Sequence, residues 1–236
     1  MHLEQPDPKF TASRKAQRNF VLALETAIMV TGFIWFVWLA NAYLGLHLER
    51  FGLRPRDLQG LLGIVTAPLL HGSLEHIFSN TAPLLVSLTA MLYLYPNSAL
   101  RVIPMVWMGT GLLAWLIGRP NVHIGASGFV YGLLAFILVG GMLRKDLRSV
   151  AVSLLVWFLY GSMIWGVLPI RPQMSWEMHL SGTLLGIAMA ILYRKWDQVP
   201  VKRYAWEDED EDEVPDWFPG VDSGEDPDPD DHKRIH

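Results

Sequence analysis

Asn121-Val122-His123-Ile124-Gly125-Ala126-Ser127-Gly128-Phe129-Val130-Tyr131 is the polar, glycine-punctuated head of an apolar run with no charged residue before Arg144. The run from Ala126 to Leu143 is long enough to cross the hydrocarbon of a bilayer, so this stretch decides the solvent in which the chain folds. It also sets a chemical question. A serine flanked by small residues at the head of a membrane-length helix needs a neighbouring base before its hydroxyl can act as a nucleophile. His179, near the start of the last apolar run, is the candidate base.

Outward from that stretch, composition agrees with a membrane setting. Hydrophobic residues make up 51% of the chain and charged residues 18%, against about a quarter charged in soluble domains. There is no cysteine, which excludes disulfides, thiolate catalysis and zinc–thiolate sites. Charge is split along the chain. Residues 207–236 hold 14 of the 23 acids and only two bases, Lys233 and Arg234, whereas residues 1–206 carry 17 bases against nine acids. A block of like charge cannot bury enough apolar surface to fold, so 196–236 reads as a solvated, disordered acidic tail. Residues 1–19 read as a basic N-terminal segment, and 20–195 as the membrane core.

Within the core, apolar runs at Thr26–Leu46, His76–Tyr95, Ala99–Gly118, Ala126–Leu143, Val150–Leu168 and Met178–Tyr193 predict six transmembrane helices and an all-α, polytopic membrane protein. Pro83, Pro104, Gly109 and Gly111 within them are tolerated where neighbouring helices satisfy the backbone. The segment 47–75 is charged at Glu49, Arg50, Arg54, Arg56 and Asp57, yet contains an apolar patch from Leu61 to Leu70. That patch is too short to span, which suits a membrane-associated first loop. With the N-terminus inside, the inner segments hold twelve lysines and arginines and the outer segments five, so both termini are expected in the cytoplasm. Ser127 and His179 then fall near the outer ends of their helices, in the same leaflet.

Polar groups inside spans are costly and usually functional. His76 and Asn80 are four apart and share one helix face, as do Ser127 and Tyr131. In the expected chemistry Ser127 is the nucleophile and His179 the general base and then acid. The Ser127 backbone N–H, His76 and Asn80 are candidate oxyanion donors, and Tyr131 is placed to stack on the imidazole and orient it. Gly128 and Gly132 in one span, with Gly182 and Gly186 in the other, make two small faces that allow close helix contact; Gly125 belongs to the same packing set. No cofactor or metal is needed for this chemistry. His123 and His47 read as interfacial bystanders, His71 as a loop or capping residue, and Trp35, Trp38, Trp107 and Trp115 as belt or packing residues.

Together, His76-x-x-x-Asn80, Gly125-Ala126-Ser127-Gly128 with Tyr131, and His179-x-x-Gly182-x-x-x-Gly186, spread in that order over spans two, four and six, resemble the rhomboid family of intramembrane serine proteases. The resemblance covers roughly residues 20 to 195 and corresponds to the bacterial six-span form. It implies cleavage of transmembrane helices near the outer membrane face, with single-span membrane proteins and the lipid bilayer as partners and no role for nucleic acid. It also implies substrate access past a mobile fifth span and a capping loop around Trp165 to Trp176, in a bacterial inner membrane. Two departures stand out: Leu62-Gly63 occupies the place of a common Trp-Arg pair, and Met178 precedes the histidine where a small residue is usual. The alternatives are a rhomboid-like protein that binds helices without cutting them and, with less support, a metal-dependent protease built on His71, Glu75, His76 and His179. The zinc motif His-Glu-x-x-His is absent. A six-span transporter lacks the expected inverted repeat of broken helices.

Overall fold

The computed structural model describes residues 14–144, 147–170 and 174–197. Residues Met1–Val199 form one unit; a second, Pro200–His236, lies outside the described residues, and so does the expected acidic tail beyond Asp197. Six long helices organise the first unit: α1 Arg14–Leu44, α2 Leu74–Leu94, α3 Pro96–Ile117, α4 Ser127–Arg144, α5 Leu147–Tyr160 and α6 Trp176–Leu192. The protein is an all-α membrane bundle, and among the described residues the one strand-like feature is an isolated antiparallel bridge between Leu53 and His123.

Among the described residues, five segments are long and apolar enough to cross a membrane: α1 to α4, and Ser149–Val167, which joins α5 to a 3-10 extension at Gly161–Val167. The remaining helix, α6, has 17 residues and reaches about 26 Å at 1.5 Å per residue, slightly short of a hydrocarbon core. Large apolar side chains such as Phe33, Phe36, Leu154 and Phe158 face outward, as a lipid solvent requires.

Two element boundaries differ from the apolar runs by more than about three residues. Helix α1 is already formed at Arg14, the first described residue and well before Thr26, because Arg14–Glu25 contains strong helix formers and neither glycine nor proline; charge marks where the membrane ends, not where the helix does. The fifth span does not continue as one α-helix. It tightens to 3-10 at Gly161, where a glycine weakens the α-helical ladder.

Helix α4 is the centre of the bundle. It packs most extensively on α6 and also touches α2, α3 and α5, burying Phe129, Val130, Leu133, Phe136 and Ile137. Its contact with α6 is close because both faces are glycine. A Cβ at Gly182 would fall on the Gly128 carbonyl oxygen, and one at Gly186 on the Gly132 carbonyl oxygen. Helix α5 is peripheral, packing mainly on α4 and on its own 3-10 extension.

The first loop is a chain of short helical turns, at Leu48–Phe51, Leu58–Leu62, Gly63–Thr66 and Ala67–Leu69, strapped to α3. Trp107 Nε1 donates to the Val65 carbonyl and Trp115 Nε1 to the Asp57 carbonyl, both at 3.0 Å. The Arg56 N–H and guanidinium reach the carbonyls of Trp115 and Leu116. These two tryptophans therefore do more than fill a belt: they hold the loop where a Trp-Arg pair is missing. At the other end of the bundle, the Asp197 carboxylate accepts from Asn97 N–H, Ser98 N–H and Ser98 Oγ, capping the start of α3.

Candidate active site

Ser127 is the first residue of α4, so its N–H is one of the unpaired donors at a helix start; the first backbone bond of that turn runs from Val130 N–H to the Ala126 carbonyl. The approach is shaped by Gly125. Its φ of 112° is a conformation that side chains disfavour, and a Cβ there would fall on the His76 imidazole. The loop is pinned on both sides. Gly125 N–H donates to the Ala67 carbonyl at 2.8 Å, and Ala126 N–H points to His71 Nε2 at 3.4 Å.

His179 lies on the first turn of α6, buried, with its Nε2 2.8 Å from Ser127 Oγ. Its Nδ1 lies 2.9 Å from the Gly166 carbonyl oxygen. A carbonyl can only accept, so Nδ1 carries the proton and Nε2 presents a lone pair to the serine hydroxyl. The imidazole is clamped from its face as well. Tyr131, one turn below Ser127, stacks on it with ring centroids 4.1 Å apart and planes 5° from parallel, while the tyrosine hydroxyl donates to the Met163 carbonyl at 2.7 Å.

Gly166 and Met163 both belong to the 3-10 segment after α5, which thus supplies the two carbonyls that orient His179 and Tyr131. A Cβ at Gly166 would fall on the Tyr131 hydroxyl, so only glycine lets that carbonyl approach. Below Tyr131 an apolar cavity of about 240 Å³ opens between α4, α5 and α6, lined among others by Val156, Tyr160, Met163 and Thr183.

The second-span residues stand close by, without a bond to Ser127. Asn80 is buried and gives one amide hydrogen to the His76 carbonyl at 2.9 Å; the amide has a second hydrogen to offer. The His76 ring meets His71 edge to face at 4.9 Å. His179 is turned to Ser127 instead, and among the described residues no three His, Cys, Asp or Glu side chains gather around a point.

A helix-start serine bonded to an oriented imidazole inside a six-helix bundle is accompanied by a sequence match to the Rhomboid domain over residues 59–196. The chain belongs to the rhomboid family. Members of that family are generally intramembrane serine proteases. This rhomboid is 34% identical to an uncharacterized protein of Mycobacterium tuberculosis over 197 residues, covering 80% of this chain and 82% of the relative. A Mycobacterium bovis protein matches to the same extent, and one from Mycobacterium leprae is 35% identical over 154 residues, 61% of each chain.

Four features of this rhomboid's site escaped the sequence reading. The Gly166 carbonyl is backbone and has no side-chain signature. His71, which the sequence offers as a loop-orienting or capping residue, sits against the Ala126 amide, a partner that its position in the chain does not name. His123 is 1% exposed and bonded through both ring nitrogens, to Ser175 Oγ and the Arg119 carbonyl, which corrects its reading as an interfacial bystander. Glu177 is buried two residues before His179 and paired with Arg119. A carboxylate at the head of an apolar run was itself the available signal.

Proposed function

We propose that this rhomboid is a serine endopeptidase that cuts transmembrane helices of other membrane proteins near the outer membrane face. The observation that carries the reading is the bond between His179 Nε2 and Ser127 Oγ, with Nδ1 held by the Gly166 carbonyl. In that tautomer the imidazole takes the serine proton as Oγ attacks the scissile carbonyl, and later returns it to the leaving amine. Water then attacks the acyl-serine, with His179 again as base. The developing oxyanion is met by the Ser127 backbone N–H at the helix start, where the dipole favours negative charge. His76 and the second Asn80 hydrogen are the side-chain donors from α2. Tyr131 and the Gly166 carbonyl take the orienting part that an aspartate plays in triads.

The substrates would be single-span membrane proteins reaching the dyad from the side of the thinly packed α5 and its 3-10 extension. The protein would reside in the bacterial inner membrane with both termini in the cytoplasm; of the expected acidic segment 196–236, Asp197 is tied to the start of α3, and the part beyond it would form a cytoplasmic tail.

The reading is tested with the full-length protein in proteoliposomes and a single-span reporter substrate. Ser127→Ala and His179→Ala should each lower cleavage by about 10⁴-fold or more while the chain stays folded. Cleavage that persists in Ser127→Ala would remove the nucleophile. A wild-type chain that binds the reporter without cutting it would favour the helix-binding alternative.

A further inference from the structure

Outside the Ser127–His179 pair lies a second polar assembly that the chemistry above does not use. Glu177 is 1% exposed on the first turn of α6. Its carboxylate receives the Arg119 guanidinium through Nε and Nη2, one donor to each oxygen, and the Arg119 backbone N–H at 3.2 Å. Arg119 Nη2 also donates to the Met174 carbonyl at 2.8 Å. Four residues on, His123 adds a parallel tie. Its Nε2 faces the Arg119 carbonyl at 3.0 Å and so must donate, which leaves Nδ1 to accept from Ser175 Oγ at 2.9 Å.

The pattern of these bonds has a direction. One of these bonds, from His123 Nε2 to the Arg119 carbonyl, stays within the loop that runs into Ser127; each of the others joins residue 119 or 123 of that loop to residue 174, 175 or 177 in the stretch that runs into His179. The same loop is held from a third side, where Leu53 and His123 exchange backbone bonds at 3.0 and 2.8 Å. Glycine faces let α4 and α6 approach closely, but glycine presents no side chain of its own to interlock, so a directional bond beside the seam adds to the register that packing sets. Only the carboxylate of this pair is buried, the Arg119 side chain being 35% exposed, and such a pair is a weak way to gain stability, because desolvation of the carboxylate offsets much of the attraction. A forked arginine bonded to both carboxylate oxygens and to a carbonyl does specify distance and angle.

We propose that Arg119–Glu177, together with His123–Ser175, is a clasp that sets the register of α6 against the loop before α4 and thereby the reach from His179 to Ser127. Arg119 and Glu177 are positioning residues in this assignment, which rests on the reading of Ser127 and His179 as the catalytic pair. The need for such a device follows from how steeply rate depends on placement: an error of about 1 Å at a reacting pair costs on the order of 100-fold.

Glu177→Gln in the full-length protein tests the clasp. Four quantities are measured: kcat and KM on the single-span reporter, the rate at which a fluorophosphonate labels Ser127, and the Tm. Well below the variant's Tm, kcat and the labelling rate should both fall by about 10- to 100-fold with KM within about twofold of wild type. The double variant Arg119→Gln, Glu177→Gln should be no slower than Glu177→Gln alone, since the two act as one unit. A lowered Tm with wild-type kcat and labelling rate would overturn the proposal and leave the pair a purely structural bond. Should Glu177→Gln fail to fold, Arg119→Lys keeps the charge and loses the fork; a loss of about three- to tenfold in both rates supports the clasp, and wild-type rates overturn it. A wild-type chain that neither cleaves nor labels would overturn the catalytic reading itself, an outcome separate from any of these.

Discussion

At the scale of single residues, the site depends on histidines that differ in their work although the sequence writes them alike. His179 has a carbonyl on one nitrogen and a serine on the other, and that pairing selects its tautomer. His71 has a backbone amide pointing at Nε2, which must therefore stay unprotonated. Burial first, and the neighbouring His76 second, hold the His71 pKa down at about 4, against 6.5 for a free imidazole. Between those values the unfolded chain binds a proton that the folded chain does not. Stability from this residue is thus complete above pH 6.5 and is lost as the pH falls toward 4, by up to about 3 kcal/mol. His71→Gln keeps an acceptor and removes the titration. Its Tm should vary less with pH over that window than the wild-type Tm, and an equal slope in the two proteins would show that other groups carry the dependence.

At the scale of elements, the contact between α4 and α6 decides whether two side chains 52 positions apart meet. Both small faces were legible as Gly128, Gly132, Gly182 and Gly186, because glycines four apart repeat on one side of a helix. Which carbonyl each glycine admits was not legible, since it depends on the rotation of one helix against the other. Gly182→Val places bulk against the Gly128 backbone, where no flexible side chain can yield. Overpacking of this kind costs about 1–3 kcal/mol. The variant should lower the Tm and reduce reporter cleavage by more than about 100-fold, through a longer reach from His179 to Ser127. Cleavage near the wild-type rate would mean that the helices hold their separation by other contacts. The 3-10 segment Gly161–Val167 shows the opposite case. It read as the tail of an ordinary span, yet it provides the carbonyls for His179 and Tyr131, a function invisible in side-chain chemistry.

At the scale of the whole molecule, the proposed orientation rests on the distribution of lysine and arginine, and the absence of cysteine makes it simple to test. A membrane-impermeant maleimide applied to intact cells should label Gln59→Cys, on the exposed part of the first loop, and should leave Ser223→Cys unlabelled until the membrane is opened. The reverse pattern would invert the topology and move Ser127 and His179 to the cytoplasmic leaflet. The ties between distant parts of the chain are also a property of the whole. Asp197 caps the start of α3 from a hundred residues away, and Trp107 and Trp115 strap the first loop to the same helix.

By itself the sequence determined the solvent, the all-α class and the number and order of apolar runs, and it offered the candidate serine, histidine and glycine positions, because hydropathy, charge and small-residue spacing are local quantities written along the chain. Tertiary structure alone decided which carbonyl faces His179, that His123 is buried rather than interfacial, and that Arg119 meets Glu177 across the mouth of the bundle. Those are relations between segments far apart in the chain, set by helix rotation and loop path. The stretch from Asn121 to Tyr131 contains both kinds of information: its apolar run named a span, and only the packed bundle supplied the imidazole 2.8 Å from its serine.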